Sequence, residues 1–317
     1  MKRDIDLLVI GDVNADLLLK GDDPVPIFGQ VEKLVDGGLL TVGGSSSIMA
    51  CGASRLGLRT ALVGVLADDA LGSLLRTALE DRGVDVSACL VEPGRLTGIT
   101  VVLMRGASGD RAILTATGTA GSLSAGQVNR DVLGRSNHLH CGGYFLQPRL
   151  QEGLADLFCE ARRMGIKCSL DTNWDPAEEW NQGLAAVLGQ CDLFFPNEAE
   201  ALSIGGCTDI DSAVTKLSAA GPTVVVKRGA QGGMVRQGSR TLLAAAPRTE
   251  VVDSTGAGDA FDAGYLFGFI RSWETARCLS LAIACGSLST RGLGGVEGQP
   301  SLEEALTLAS TIEVRAA

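Results

Sequence analysis

The second half of the chain alternates short apolar runs with longer amphipathic segments, and this alternation constrains the fold more than any other feature. The apolar runs are predicted to be buried strands at residues 138–142, 167–171, 193–196 and 223–227. The segments between them are predicted to be helices at residues 153–164, 197–203 and 211–220. Because parallel strands need crossover connections that are usually helical, the alternation predicts a doubly wound, mostly parallel sheet of the α/β class.

The first half of the chain begins with a predicted strand at residues 5–10 and continues with less regular β-structure. Residues 17–41 mix prolines, glycines and short alternating pieces, and a polar turn at 105–110 between residues 97–104 and 111–117 predicts a β-hairpin. The other predicted elements are a strand at 60–66 and helices at 45–56, 70–82, 257–270 and 274–289. We predict one α/β domain over residues 1–317, with a small β lid built from insertions at about 17–41 and 97–117.

The formal net charge of −10 argues against a nucleic-acid partner, because such a protein needs a basic face. A single nucleotide is compatible with an acidic chain, since local N–H groups, one or two cations and Mg²⁺ suffice to bind it. The nine cysteines are scattered and form no C-x-x-C pair, which favours a reducing cytoplasm over a disulfide framework. No segment approaches the ~18 apolar residues of a membrane span, so we expect a cytoplasmic protein without a membrane partner.

Residues 253–261, D-S-T-G-A-G-D-A-F, carry the strongest signal for chemistry. Gly256, Ala257 and Gly258 stand where a helix is predicted to begin, and small residues there leave backbone N–H groups accessible to an anion. The helix N-terminus adds about half a positive charge, which suits a transferring phosphoryl group. Asp259 follows in the first turn, where its carboxylate can accept a proton from a hydroxyl as a general base. The alternative is a helix whose glycine-rich first turn is merely capped by acidic residues.

This segment resembles the D-T-x-G-A-G-D-x-F motif of the ribokinase-like (PfkB) carbohydrate kinases. Three further segments resemble the family's patterns in the same order: the glycine-rich segment 43–72, the N-x-x-E pattern in P-N-E-A-E at 196–200, and the K-x-G-x-x-G pattern in V-K-R-G-A-Q-G at 226–232. The resemblance spans almost the whole chain. It implies a ribokinase-like fold, ATP and Mg²⁺ as cofactors, and a homodimer.

On the phosphate side, the resemblance implies a role for each matched residue. Asp259 would be the catalytic base, and the anion hole would consist of Gly256, Ala257 and Gly258. Mg²⁺ and the phosphates would be organised, through water, by Asn197 and Glu200. The other ATP contacts would be Lys227, Gly229 and, within an adenine pocket at 284–292, Ser287. A monovalent cation, K⁺, would be bound by Asp253 and Thr255.

On the acceptor side, the matched residues are polar groups or glycines near predicted strand ends, namely Asn14, Asp16, Gly43, Gly44 and Asn173. An acidic loop or cap after a strand is the alternative interpretation of Asn14 and Asp16. Ile48 stands where the family usually has Asn, which makes the acceptor pocket more apolar. Asp175 stands where fructokinase-like and ketodeoxygluconate-kinase-like members carry Arg, so we expect an uncharged acceptor. Arg111, on the predicted lid, either supplies a charge to the acceptor or lies on the surface.

Other enzyme classes lack their sequence signals in this chain. No G-x-G-x-x-G follows the first predicted strand, which argues against a dinucleotide-binding dehydrogenase, and no G-x-x-x-x-G-K-[ST] phosphate loop occurs. We predict ATP-dependent phosphorylation of a hydroxyl, a primary alcohol, on a small uncharged sugar or sugar-like molecule. Two alternatives remain open. One is a nucleoside kinase of the same family, which Ile48 and Met49 would suit; the other is a sensor that binds sugar or nucleotide without turnover, against which the retained Asp259 argues.

Overall fold

A computed structural model describes residues 3–106 and 110–317, so residues 107–109 of the predicted hairpin turn lie outside the described residues. In chain order, the strands are β1 (Ile5–Ile10), β2 (Asn14–Gly21), β3 (Gly37–Gly43), β4 (Thr60–Val63), β5 (Val65–Ala67), β6 (Leu90–Glu92), β7 (Gly98–Arg105), β8 (Arg111–Ala116), β9 (Ser136–Cys141), β10 (Lys167–Leu170), β11 (Leu193–Phe194), β12 (Thr223–Lys227), β13 (Gly233–Gln237), β14 (Arg240–Ala244) and β15 (Arg315–Ala316). The helices are α1 (Ser45–Arg55), α2 (Ala70–Asp81), α3 (Arg130–Gly134), α4 (Pro148–Arg163), α5 (Leu184–Leu188), α6 (Glu198–Gly205), α7 (Ile210–Ser218), α8 (Ala257–Ile270), α9 (Thr275–Ser289) and α10 (Leu302–Ala309).

The central sheet has nine strands and confirms the predicted doubly wound, mostly parallel arrangement. Strands β4, β1, β9, β10, β11 and β12 lie side by side and parallel. Strands β13, β14 and β15 continue the sheet antiparallel, an extension that the sequence did not predict. The reversal depends on Gly232, whose φ of +91° is left-handed and whose Cβ, if present, would lie 2.0 Å from the Ala244 carbonyl oxygen.

The core fills both faces of this sheet. Leu7 and Val9 of β1 face one hydrophobic cluster, which helices α1, α8, α9 and α10 cover. Leu8 and Ile10 face a second cluster, which helices α4, α5 and α7 cover. Burial on both faces explains why β1 is a continuous apolar run in the sequence rather than an alternating one.

A separate four-stranded sheet, in the order β3-β2-β7-β8, is formed by the two segments predicted to be insertions. The β7–β8 hairpin is antiparallel, as predicted, whereas β2 and β7 pair in parallel. The β-structure extends beyond the predicted 17–41 to residues 14–43. The strand predicted at 60–66 is interrupted at Gly64, and β5 leaves the central sheet to pair with β6.

The carboxyl ends of the parallel strands meet at one edge of the central sheet, where α/β proteins bind their ligands. The N-termini of α1 and α8 lie at this edge, since Ser45 of α1 contacts Asp259 of α8. Within residues 3–106 and 110–317, no helix combines the length and apolarity required to cross a membrane.

Candidate active site

Helix α8 begins directly after Gly256, as the sequence predicted. Gly256 has a φ of +71°, and a Cβ there would lie 2.7 Å from the Gly295 Cα, so glycine is required by both conformation and space. The first N–H groups of a helix have no acceptor within the helix. The Ala257 N–H donates to the Ser254 carbonyl oxygen at 3.3 Å. The positive end of the helix at Gly258, with only small side chains around it, is suited to an anion.

Asp259 in this first turn accepts a hydrogen bond from the Ser45 hydroxyl, with 2.6 Å between Ser45 Oγ and Asp259 Oδ1. Part of the side chain remains accessible, but protein atoms surround the carboxyl. This desolvation, reinforced by the charge of Asp171, raises the pKa of Asp259 to about 7. The carboxyl can therefore both take up and release a proton near neutral pH, which is what a general base requires.

Lys227, at the end of β12, is held by two buried carboxyls. Its ammonium nitrogen lies 2.8 Å from Asp171 Oδ2 and 3.2 Å from Asp262 Oδ2. Burial disfavours the ammonium, but the charges of Asp171 and Asp262 outweigh it and hold the pKa of Lys227 above its usual range. Burial raises the pKa of Asp262 well above its usual value, and Asp262 Oδ1 is a buried atom without a partner among the described residues. The ammonium is close enough to Gly258 that a Cβ there would lie 3.6 Å from it.

Asn197 and Glu200 form a capping box at the start of α6. The Glu200 N–H donates to Asn197 Oδ1 at 2.9 Å, and the Asn197 N–H donates to Glu200 Oε2 at 2.8 Å. Glu200 is buried, and desolvation together with the charge of Asp171 raises its pKa to about 7. The N-x-x-E segment thus caps helix α6. The cap also fixes the Glu200 carboxyl beside Lys227 and the two carboxyls that contact it.

A cavity of about 530 Å³ opens beside the first turn of α8. It brings together three residues that the sequence predicted to contact ATP, namely Lys227, Gly229 and Ser287. It also reaches Ala257 and Gly258. Its apolar wall includes Ala246, Val251 and Ile283, and the first two follow the unpredicted hairpin β13–β14. This volume and lining are typical of a site for a nucleotide-sized ligand.

The predicted acceptor residues Asn14 and Asp16 lie on β2 and are buried. The Asn14 amide donates to Asp16 Oδ1 at 3.0 Å and to Thr100 Oγ1, across the four-stranded sheet, at 3.1 Å. Gly43 and Gly44 make room for these side chains, since a Cβ on Gly43 would lie 1.9 Å from Asp16 Oδ1 and one on Gly44 would lie 2.7 Å from Asn14 Oδ1. Burial and the charge of Asp12 raise the pKa of Asp16 to about 7.

Ile48 and Arg111 both lie beside the start of α8. The Ile48 side chain is buried against Gly256 and Gly295, beneath the start of α8. Arg111 points to the turn before α8, where its Nη1 lies 2.9 Å from Thr255 Oγ1 and 3.7 Å from Asp253 Oδ1. Ile48 therefore packs under the predicted anion hole, and Arg111 is paired with a protein carboxylate.

Asp175 is fully buried and organises the loop that follows β10. The expectation of an uncharged acceptor, which rests on Asp175 standing where related subfamilies carry Arg, stays a prediction. Its carboxylate accepts hydrogen bonds from the backbone N–H groups of Ala177, Glu179 and Trp180 at 2.8–2.9 Å. The loop contains four non-glycine residues with positive φ, namely Asn173, Glu178, Trp180 and Gln182. It presents Trp174, 47% exposed, with its ring edge-on to Trp180 at 4.7 Å.

Sequence reasoning missed three residues of this site. Asp12 accepts the N–H groups of Ser45 and Ser46, both at 3.0 Å, and so caps α1. Ser45 contacts the predicted base, and Asp262 contacts Lys227. Asp262 could have been found, because a residue three positions after Asp259 lies on the same face of a helix.

The whole arrangement has counterparts among known proteins. The model of the "pfkB family carbohydrate kinase" matches residues 4–302. The chain belongs to the pfkB family of carbohydrate kinases. This confirms the predicted enzyme class, an ATP-dependent carbohydrate kinase.

Two solved structures and one curated relative illustrate how far this pfkB-family similarity extends. A nucleoside kinase of Methanothermobacter thermautotrophicus is 29% identical over 310 residues, covering 96% of this chain and 96% of that protein. Arabidopsis thaliana ribokinase complexed with ribose and ATP superposes with a TM-score of 0.82 at 25% identity, over 98% of this chain and 99% of that one. A putative ribokinase II from E. coli, in complex with ATP and Mg²⁺, gives a TM-score of 0.85 at 24% identity, over 97% and 99%. The ribokinase-like fold is therefore confirmed.

Proposed function

We propose that this pfkB-family kinase transfers the γ-phosphoryl group of Mg·ATP to a primary hydroxyl group of a small uncharged sugar or sugar-like acceptor. The observation that carries the proposal is the position of Asp259. It lies in the first turn of α8, which borders the 530 Å³ cavity on one side and contacts Ser45 of α1 on the other. A base and an anion-binding helix terminus are thereby within one helical turn of each other.

In the proposed reaction, Asp259 accepts the proton of the acceptor hydroxyl as the hydroxyl oxygen bonds to phosphorus. The bond between phosphorus and the bridging oxygen breaks, and the electron pair leaves with ADP. The backbone N–H groups of Gly256, Ala257 and Gly258 hold the oxygens of the transferring group, where negative charge is concentrated. Lys227, next to Gly258, adds positive potential to the same place.

The charge balance of the site fits a divalent cation. Four carboxyls, those of Asp171, Glu200, Asp259 and Asp262, interact with a single ammonium, that of Lys227. In the described part of the chain, no group of three acidic, His or Cys side chains is arranged to ligate a metal directly. Mg²⁺ would therefore be held through water by Glu200 and Asn197 and by the ATP phosphates, as Mg²⁺ at phosphates commonly is. When bound, it neutralises phosphate charge.

The acceptor side supports an uncharged, hydroxyl-rich ligand. Asn14, Asp16 and Thr100 offer donors and acceptors that match sugar hydroxyls. The cation predicted to reach this side, Arg111, is already paired with Asp253. The carboxylate of Asp16 would oppose a phosphate or carboxylate on the acceptor.

A nucleoside kinase is the second candidate, and the exposed ring of Trp174 favours it. Trp174 lies three residues after Asp171, which contacts Lys227, and an exposed aromatic ring can serve as a stacking surface for a nucleobase. The nucleoside kinase relative, similar over 96% of this chain, gives this candidate independent support. The sensor alternative is opposed by the intact base and helix terminus at Gly256–Asp259.

We also propose a homodimer formed through the four-stranded sheet. Strand β8 is exposed along its length, and Ile113 and Leu114 are 55% and 64% exposed. An edge strand that exposes apolar side chains in one subunit is suited to pairing with a second subunit.

The test is a panel of pentoses, hexoses, sugar acids and nucleosides, with ADP release as the readout, for the wild type and Asp259→Asn. We expect turnover with a neutral acceptor and a fall in kcat by about 10²- to 10⁴-fold in Asp259→Asn, with ATP affinity nearly unchanged in calorimetry. Near wild-type turnover in the variant would reject Asp259 as the base. Tight acceptor binding without ADP release from the wild type would favour the sensor.

A further inference from the structure

Arg111, the first residue of β8, links the four-stranded sheet to the turn that precedes α8. Its guanidinium lies 2.9 Å from Thr255 Oγ1 and 3.7 Å from Asp253 Oδ1. Asp253 is buried, whereas the Arg111 side chain is 35% exposed. A permanently charged group thus approaches a buried carboxylate from the solvent side.

The side-chain oxygens of Asp253 and Thr255 in this turn already make hydrogen bonds. Asp253 Oδ1 accepts the Thr255 N–H at 2.9 Å and the Thr255 hydroxyl at 2.8 Å, and Asp253 Oδ2 accepts the Gly294 N–H at 2.8 Å. Thr255 Oγ1 donates to Asp253 and accepts from Arg111. Each of these oxygens already makes at least one hydrogen bond, and the guanidinium at 2.9 Å from Thr255 Oγ1 brings the positive charge that a metal ion would otherwise supply. The K⁺ implied by the family resemblance would therefore have to compete with Arg111 for the side chains of Asp253 and Thr255.

The charge of Asp253 nevertheless needs compensation. Gly256 is three residues away, and a buried carboxylate so near the start of α8 would weaken its attraction for a phosphoryl group. Its influence reaches the acceptor side too, since the charge of Asp253 contributes to raising the pKa of Asp16. A cation at 3.7 Å from Asp253 removes much of this repulsion.

We propose that the Arg111 guanidinium replaces a monovalent metal ion at the Asp253–Thr255 turn, so that turnover does not depend on K⁺. The inference rests on the proposed anion-binding role of Gly256–Gly258. Arg111 acts through the turn as a positioning residue. Arg111 lies on β8, so its guanidinium can neutralise the Asp253 carboxylate only while the four-stranded sheet lies over the site.

The experiment compares the wild type, Arg111→Ala and Arg111→Gln at constant ionic strength in KCl, NaCl and tetramethylammonium chloride. The matched control is Arg105→Ala, because Arg105 lies on the same hairpin but pairs with Asp23 and Asp110 instead of the turn. Steady-state kcat and KM for ATP are measured, together with the melting temperature of each protein in each salt. The Gln variant keeps much of the Arg111 packing in case the Ala variant does not fold.

We expect wild-type and Arg105→Ala kcat to agree within about twofold in all three salts. Both Arg111 variants should lose about tenfold or more in kcat in tetramethylammonium, with a smaller change in KM, and recover part of it in KCl. Their melting temperatures should rise in KCl, and that of the wild type should not. Activation of the wild type by K⁺ over tetramethylammonium, or wild-type kcat in both Arg111 variants, would overturn the inference. If the wild type turns over no acceptor in any salt, the proposed function fails, and the melting temperatures alone still decide whether Arg111 excludes K⁺.

Discussion

Replacing Ser45 by Ala should move the acid limb of the pH–rate profile. The Ser45 hydroxyl donates to Asp259 Oδ1 at 2.6 Å, and this bond favours the ionised carboxyl. Removing the donor makes ionisation harder, so the pKa of Asp259 should rise from its value of about 7. A base with a higher pKa is protonated, and inactive, over a wider range of pH.

The size of the shift follows from the strength of the bond. A hydrogen bond to a charged group contributes about 1.5–3 kcal/mol, and one pKa unit corresponds to about 1.4 kcal/mol, so we expect a shift of roughly 1–2 units. For a shift of about one unit, the ionised fraction at pH 6.5 falls about eightfold, from about 24% to about 3%. Above pH 9 the two proteins should differ by less than about twofold.

The assay is kcat/KM for the acceptor between pH 5.5 and 9.5 at saturating Mg·ATP, measured by ADP release. Ser47→Ala is the matched control, because Ser47 lies in the same turn of α1 but donates to the Asp12 carbonyl oxygen at 2.9 Å. Its limb should coincide with that of the wild type. An acid limb in Ser45→Ala that stays in place or moves to lower pH would refute the reasoning, as would an equal shift in Ser47→Ala.

The same shift has a consequence for stability. The folded-state pKa of Asp259 lies above the ordinary value of 3.8, so its protonated form stabilises the folded state at low pH, and this contribution is lost as the pH rises through about 7. Ser45→Ala should move the upper end of that window to higher pH, which urea titrations at pH 6 and 8 would record.

Two further predictions concern the surroundings of the base. Lys227→Met should lower the free energy of unfolding by about 3–5 kcal/mol at pH 8, because Asp171 and Asp262 lose their counter-ion, and by less at pH 5, where the carboxyls take up protons. Urea unfolding measures this, and equal losses at both pH values would contradict it. Lys33→Met is the control, because Lys33 pairs with the exposed Asp23 at the surface and its loss should cost at most about 1 kcal/mol. Trp174→Ala should lower kcat/KM for nucleosides by about 2- to 12-fold, since an aromatic pair contributes about 0.5–1.5 kcal/mol, and leave free sugars nearly unaffected. Equal losses for both acceptor types would remove Trp174 from nucleobase recognition.

The central sheet was predictable because its parallel strands and most of its crossover helices have a local pattern, although α5, between β10 and β11, was not predicted. The apolar run of β1 predicts a buried strand without any knowledge of which strands pair with it. The pairing of Asn14 with Gly98 in the four-stranded sheet has no such local signal, because it joins segments far apart in the chain. Strands β13 and β14 were missed because Gly232 marks a reversal only when the facing carbonyl of Ala244 is known.

The candidate site likewise contains some contacts that a local sequence pattern predicts and others that it does not. Gly256 to Asp259 are contiguous, so their arrangement follows from one helix start. The contacts that tune this turn are long-range: Ser45 lies 214 residues from Asp259, and Arg111 lies 144 residues from Thr255. Spacing cannot show that Arg111 meets Asp253, or that the Asp175 carboxylate holds its own loop.

The loop held by Asp175 has a consequence for how the kinase could acquire new acceptors. Residues such as Asn173 and Trp180 adopt a left-handed conformation that costs about 1–3 kcal/mol each. The free energy of folding offsets this cost, and ligand binding does not have to. The loop is therefore ordered without a ligand, and an acceptor that bound against it would cost little conformational entropy. Variation at the outward-facing Trp174 can change which acceptors fit while the Asp175 scaffold stays intact. Loss of Asp175 would instead release the whole loop.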